Sequence, residues 1–136
     1  MRIYLDSNVF ISLIGEEIDR QCRALFKEAE AFFQTAVEQG FIIVISELFL
    51  YEVEKRLGMN GENVIDKICK LGVKKELLIT DSKEISKGKI KGMHYPDDIH
   101  ALLAIKAKCD CIVTFNTKDF EPVLGKIHVF EPLDLA

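Results

Sequence analysis

One short run constrains this chain more than any other: Phe41-Ile42-Ile43-Val44-Ile45, set between Gly40 and Ser46. Consecutive residues branched at Cβ, with no polar residue among them, suit a strand covered on both faces. Such a strand needs helices on either side and parallel neighbours joined by crossovers. The rest of the chain supplies both. Residues 2–5 read as a strand ending on Asp6, and Asn8 is expected to cap a helix over 9–14 that Gly15 stops. From Asp19 to Gln39, apolar or small residues at 22, 25, 26, 29, 32, 33, 36 and 37 predict a helix closed by Gly40. Ser46 is expected to cap a helix to Gly58, and Asn60 another that ends at Gly72. Residues 77–80 read as a third strand, with Asp81 and Glu84 in capping-box spacing after it. A helix follows Pro96 over 97–108, then come strands at 111–114 and 127–130. The expectation is an α/β three-layer sandwich around a central parallel sheet of about five strands, formed by residues 1–136 as a single domain. In such sheets ligands bind beyond the carboxyl ends of the strands, where the strand order reverses.

Composition narrows the function. No apolar run exceeds five residues, against the roughly 18 of a membrane-spanning helix, so no membrane partner is expected. The opening Met-Arg-Ile-Tyr-Leu meets Asp6 at once, which leaves no apolar core for a signal peptide, and a cytoplasmic location is expected. Cys22, Cys69, Cys109 and Cys111 lack zinc-site spacing and are expected to be reduced, small core residues. Eighteen basic against twenty-two acidic side chains give a net charge of −4, which argues against coating nucleic acid by bulk charge. Lys83, Lys87, Lys89 and Lys91 still form a local run, either a solvated face or a phosphate-contacting strip.

The acids carry the chemistry. Asp6 follows the first strand directly and falls at the carboxyl edge of the sheet. Glu52 stands three residues after Phe49, bordering the stripe of Phe49, Val53 and Leu57; Arg56, one turn on, is its candidate structural partner. Asp97 and Asp98 open a helix and complement its dipole, but Asp97 also shares a face with Ala101 and Ala104, small residues that let the helix approach the sheet. Past the strand at 111–114, Asn116 and Asp119 are candidates either for turn caps or for the same edge. Unpaired carboxylates gathered there repel one another, and a divalent metal resolves the conflict. Oxygen-only ligation, with no histidine or cysteine expected nearby, favours Mg²⁺ or Mn²⁺ over zinc.

Four segments carry a family resemblance: Leu5-Asp6-Ser7-Asn8-Val9; Ile45-Ser46 with Glu52 six residues on; Asp97-Asp98-Ile99-His100-Ala101; and Val113-Thr114-Phe115-Asn116-Thr117-Lys118-Asp119-Phe120. In this order, over residues 3–120, the chain resembles a PIN domain, the fold of VapC-type toxin ribonucleases and of several RNA-processing endonucleases. The resemblance implies metal-dependent hydrolysis of RNA, leaving a 5′-phosphate and a 3′-hydroxyl. Asp6, Glu52 and Asp97 fall on the family's main acidic positions. Asn116 stands at the fourth, where many members carry an acid, and Asp119 is the charged substitute. The implied roles are metal ligation by Asp6 and Asp97, water-mediated ligation or nucleophile orientation by Glu52, and a second metal at Asp119. Asn8 and Thr114 would fix the carboxylates, and the lysines at 83–91 would reach the RNA backbone. His94 and His100 are read as structural, with His100 facing the core. Apolar residues at 10–14 and 48–51 exceed what one buried face needs, so a homodimer is expected, extended by an antitoxin protein if the chain is a toxin. A non-cutting PIN scaffold that binds RNA or a protein is the alternative, kept open by Asn116. A phospho-acceptor receiver would need an acidic pair after the first strand and a lysine before the last proline; Ser7 and Glu131 stand there instead.

Overall fold

Five parallel strands form one sheet in the order β3-β2-β1-β4-β5: β1 (Arg2–Leu5), β2 (Ile42–Ser46), β3 (Lys74–Leu78), β4 (Cys111–Val113) and β5 (His128–Phe130). The structure is a computed structural model that describes residues 1–79 and 90–136. The two-residue period of the strands divides the core. Ile3 and Leu5, Ile43 and Ile45, and Cys111 and Val113 point to one face, where α1 (Ser7–Ile14), α2 (Leu25–Gln39), α3 (Glu47–Leu57) and α4 (Gly61–Lys70) cover them. Tyr4, Val44 and Ile112 point to the other, under α5 (Asp97–Lys106) and a 3-10 helix (Thr117–Val123). A last helix, α6 (Pro132–Leu135), returns Leu135 to the first face. The three-layer α/β architecture read from the alternation of elements is the one observed.

Local signals set most helix ends. Ser46 Oγ accepts the backbone N–H of Phe49 at 3.1 Å, and Asn60 Oδ1 that of Asn63 at 2.9 Å, as their cap positions predict. Gly40 and Gly58 end α2 and α3 in the left-handed region, at φ 67° and 66°.

Other boundaries move for identifiable reasons. α2 begins at Leu25 rather than Asp19, because Asp19 Oδ1 takes the backbone N–H groups of Gln21 and Arg23 at 3.0 and 2.9 Å and folds 19–24 into a turn. α1 begins at Ser7, which puts Asn8 inside the helix and Asp6 at its cap position. β3 starts earlier than expected, pairing with β2 from Lys74 opposite Ile42 to Leu78 opposite Ser46; Lys74 and Lys75 are polar and exposed, which a search for apolar runs passes over and an edge strand accepts. Thr80, the Asp81/Glu84 capping box and Lys83, Lys87 and Lys89 lie outside the described residues. Cys109 and Cys111 are buried, and burial pushes their thiols up to about 11 and about 12. Cys22 and Cys69 are exposed, against expectation; Cys22 sits in the Asp19 turn at φ 63°, and Cys69 Sγ accepts from Lys75 Nζ at 2.8 Å. Among the described residues no helix is long and apolar enough to cross a membrane.

Phe49 anchors α3 to the first core face, fully buried and 5.8 Å from Phe10 between ring centroids. Phe49→Ala is expected to lower stability by about 3–5 kcal/mol, read as a lower midpoint in urea unfolding with an unchanged slope.

Candidate active site

β1 lies between β2 and β4, so the chain leaves it in one direction and later returns to its other side. The carboxyl ends of β1 and β4 therefore border the crevice where strand order reverses. Asp6 and Thr114 follow these two strands directly. Thr114 Oγ1 donates to Asp6 Oδ2 at 2.8 Å and accepts from Asn8 Nδ2 at 3.1 Å and from the backbone N–H of Asn116 at 3.0 Å. Asn8 Oδ1 in turn takes the N–H of Phe115 at 3.2 Å. Asn8 and Thr114 thus lock the two strand exits together, with Asp6 5% exposed.

α3 brings Glu52 to the same place. Its Oε1 accepts from Ser7 Oγ at 3.0 Å and from His100 Nε2 at 2.5 Å. The same imidazole nitrogen lies 3.9 Å from Asp6 Oδ1. A carboxylate only accepts, so Nε2 carries a proton. With neutral His100, Nδ1 accepts from Tyr4 Oη at 2.6 Å, Tyr4 Oη accepts from Ser46 Oγ at 2.8 Å, and Ser46 accepts from Phe49 N–H. Every donor in this buried chain has an acceptor, and among the described residues no buried side-chain polar atom lacks a partner.

Asp6, Glu52 and His100 each offer a ligand atom within 4.8 Å of the others, a group that can hold a metal ion. Asp97 and Asp119 stand outside this trio. Asp97 opens α5 half-buried above the buried Ala101 and Ala104, as its spacing predicts. Asp98 is more buried, with Oδ1 accepting the N–H of Ile99 at 2.8 Å. Asp119 and Asn116 are exposed, on and just before the 3-10 helix, and Lys91 and His94 are exposed as well.

Two expectations need correction. Arg56 does not pair with Glu52; it reaches Glu17 at 3.8 Å, and the nearby donors to Glu52 are Ser7 and His100. The environment is not free of histidine: His100 is buried, as expected, but its ring faces both acids. His100 lies three residues after Asp97, on the same helix face, and that spacing was the available signal. Ser7 and Tyr4, which carried no sequence signal, complete the contacts.

The electrostatics follow from the geometry. Burial raises the Asp6 carboxyl and the Glu52 charge adds to the rise, against the pull of His100 and the Thr114 hydroxyl. Burial and the charges of Asp6 and Asp119 push Asp97 up to about 6, with a further push from Glu52 and an opposing one from His100. Burial disfavours a charged His100, yet its bond to Glu52 and the charge of Asp6 raise it overall. Three of the four arginines pair elsewhere: Arg2 with Glu76, Arg23 with Glu28 and Glu131, Arg56 with Glu17. Two carboxylates and an imidazole nitrogen this close together can hold a divalent cation.

Stability should report this crowding. A group whose pKa folding raises stabilises most while protonated. The Asp97 contribution is complete below its ordinary 3.8 and is lost as pH rises through about 6. Asp6 and His100 act in the same sense. Glu76, lowered by its bond to Arg2, acts oppositely but only near and below its ordinary 4.5. In chelator the melting temperature should therefore rise as pH falls from about 7.5 to about 5.5, and Mn²⁺ at the higher pH should raise it too. Asp6→Asn keeps the size and the bond from Thr114, so the metal-free variant should melt above wild type in differential scanning fluorimetry.

No curated protein matches the chain. The family model described as the PIN domain matches residues 2–118, a span that holds Asp6, Glu52, Asp97 and the Thr114 lock. Together with the parallel sheet and the acids at its switch point, this match shows that the chain belongs to the PIN domain family, whose members are generally nucleases.

Proposed function

We propose that the chain is a metal-dependent endoribonuclease, with the toxin of a toxin–antitoxin pair as the role in view. The observation that carries the reading is geometric: Asp6, at the end of β1 and held by Thr114, and Glu52, from α3, offer ligand atoms within 4.8 Å of each other, with Asp97 opening α5 near enough for its carboxyl to feel the charge of Asp6. Asp6 and Asp97 are the residues to hold Mg²⁺ or Mn²⁺, and Asp119 serves at a second position with Asn116 beside it. When bound, the cation supplies positive charge to the phosphate and acidity to the attacking water. Glu52, fixed by Ser7 and His100, orients that water and accepts its hydrogen bond. Thr114 and Asn8 keep Asp6 in place, so the carboxylate need not reorganise as charge develops. The lysines at 83, 87, 89 and 91 belong to this reading as contacts to the RNA backbone, and an antitoxin and a second copy of the chain as its protein partners.

The test is cleavage of a mixed-sequence single-stranded RNA in Mn²⁺ by wild type, Asp6→Asn and Asp97→Asn, with chelator as control. Hydrolysis should fall by orders of magnitude in both variants and in chelator. RNA affinity should hold or rise, because a charge that repels phosphate has gone. Equal cutting by all three proteins would assign the activity to a contaminant. Binding by all with cutting by none would favour the non-catalytic scaffold.

A further inference from the structure

α3 has a second face that the acid cluster does not use up. Phe49 and Val53 turn into the core, while Leu48, Tyr51, Glu52 and Lys55, at helical spacing, line a groove of about 690 Å³ between α3 and α1. This volume falls in the ~300–1,000 Å³ range of small-ligand pockets. The face that carries Glu52 to the acids thus continues as an aromatic ring and an ammonium group. Tyr51 is 57% exposed and Tyr95, on the same groove, 74%. Phe115, which follows the Thr114 lock, also lines the groove, with the Arg23 guanidinium 5.8 Å from its ring centroid. Arg23 is itself held by Glu28 at 2.5 Å and Glu131 at 3.1 Å, so this wall is preformed.

We propose that this groove is a base-stacking subsite for single-stranded RNA: it takes the unpaired base of a nucleotide beside the phosphate at the acids, with Tyr51 and Tyr95 as stacking rings and Lys55 as the contact to a neighbouring phosphate. The proposal rests on the nuclease reading and adds to it the place on α3 where a base next to the cut phosphate is held. Three features favour a nucleotide over an apolar helix of a partner protein. Ser12 and Asn116 add polar groups to the lining, suited to the edges of a base. The groove is continuous with the acids through Ser7, Asn8 and Glu52. The lining also carries cations, Lys55 and Arg56, beside the carboxylates of Glu17 and Glu52, with Arg56 paired to Glu17 at 3.8 Å. A base within a duplex keeps its faces stacked on its neighbours and cannot enter; an unpaired one can.

The experiment measures anisotropy of a labelled single-stranded RNA octamer and of a duplex of the same length, in chelator so that nothing is cut. The proteins are wild type, Tyr51→Ala, Tyr51→Phe, Tyr95→Ala and Lys55→Ala, each checked for an unchanged melting temperature. Tyr51→Ala should weaken single-strand binding about 5- to 100-fold, the range expected when one stacked base is lost, while duplex binding holds. Tyr51→Phe, which keeps the ring, should bind within about twofold of wild type. In Mn²⁺, Tyr51→Ala should raise KM rather than lower kcat. Wild-type binding by all four variants, or equal loss on single strand and duplex, overturns the proposal. So does a dimer that Tyr51→Ala dissociates without changing RNA binding, because the groove then belongs to a second copy. Cutting that is indifferent to these residues sinks the subsite and leaves the nuclease standing; selective loss of binding without any cutting does the reverse. A wild type that binds no single strand overturns both.

Discussion

A carboxylate out of water must be held by hydrogen-bond donors or neutralised. Asp6 is in that position, and its surroundings reflect it. Thr114 donates from the end of β4, His100 approaches from α5, and Glu52 arrives from α3 already bonded to Ser7 and to the same imidazole. Three crossover connections are needed to assemble these groups from a continuous chain. The parallel sheet is therefore the device that gathers acids from distant positions at one edge, where their mutual repulsion is carried by the packing beneath them.

What could be read in advance was local. A run of β-branched residues, a serine or asparagine one residue before a helix, and a glycine one residue after it all act over a few positions, so β2, the Ser46 and Asn60 caps and the ends at Gly40 and Gly58 were legible. Glu52 was legible because its phase is set by Phe49 and Val53 on the same helix. The hydrogen-bond role of His100 was not. Its partners Tyr4 and Glu52 are 96 and 48 residues away, and a histidine followed by Ala101 and Leu103 reads as core. Arg56 misled for a related reason: helical spacing offered Glu52, whereas folding offered Glu17 from another segment. Asp19 showed the opposite failure, in which a side chain captured backbone N–H groups that periodicity alone had assigned to a helix.

The apolar residues at 48–51 divide between two faces of α3. Two faces are in use, one packed on the sheet and one lining the groove, and Glu52 lies where they meet. An acid at that seam is bonded to Ser7 and His100 on its inner side and open enough to meet a ligand. Its place depends on the helix as a rigid body more than on the side chain's own reach.

The hydrogen bonds that begin at Phe49 N–H pass through Ser46, Tyr4 and His100 and return to α3 at Glu52. This circuit leaves the helix in its first turn and closes on it one turn later, and so fixes the rotation of α3 about its own axis. One residue inserted between Ser46 and Glu52 would swing the carboxylate by about 100° and open the circuit. Replacing Leu48 or Tyr51 would leave the rotation untouched. For the placing of Glu52, length in this stretch is specified more strictly than content, and the helix acts as a spacer of fixed count.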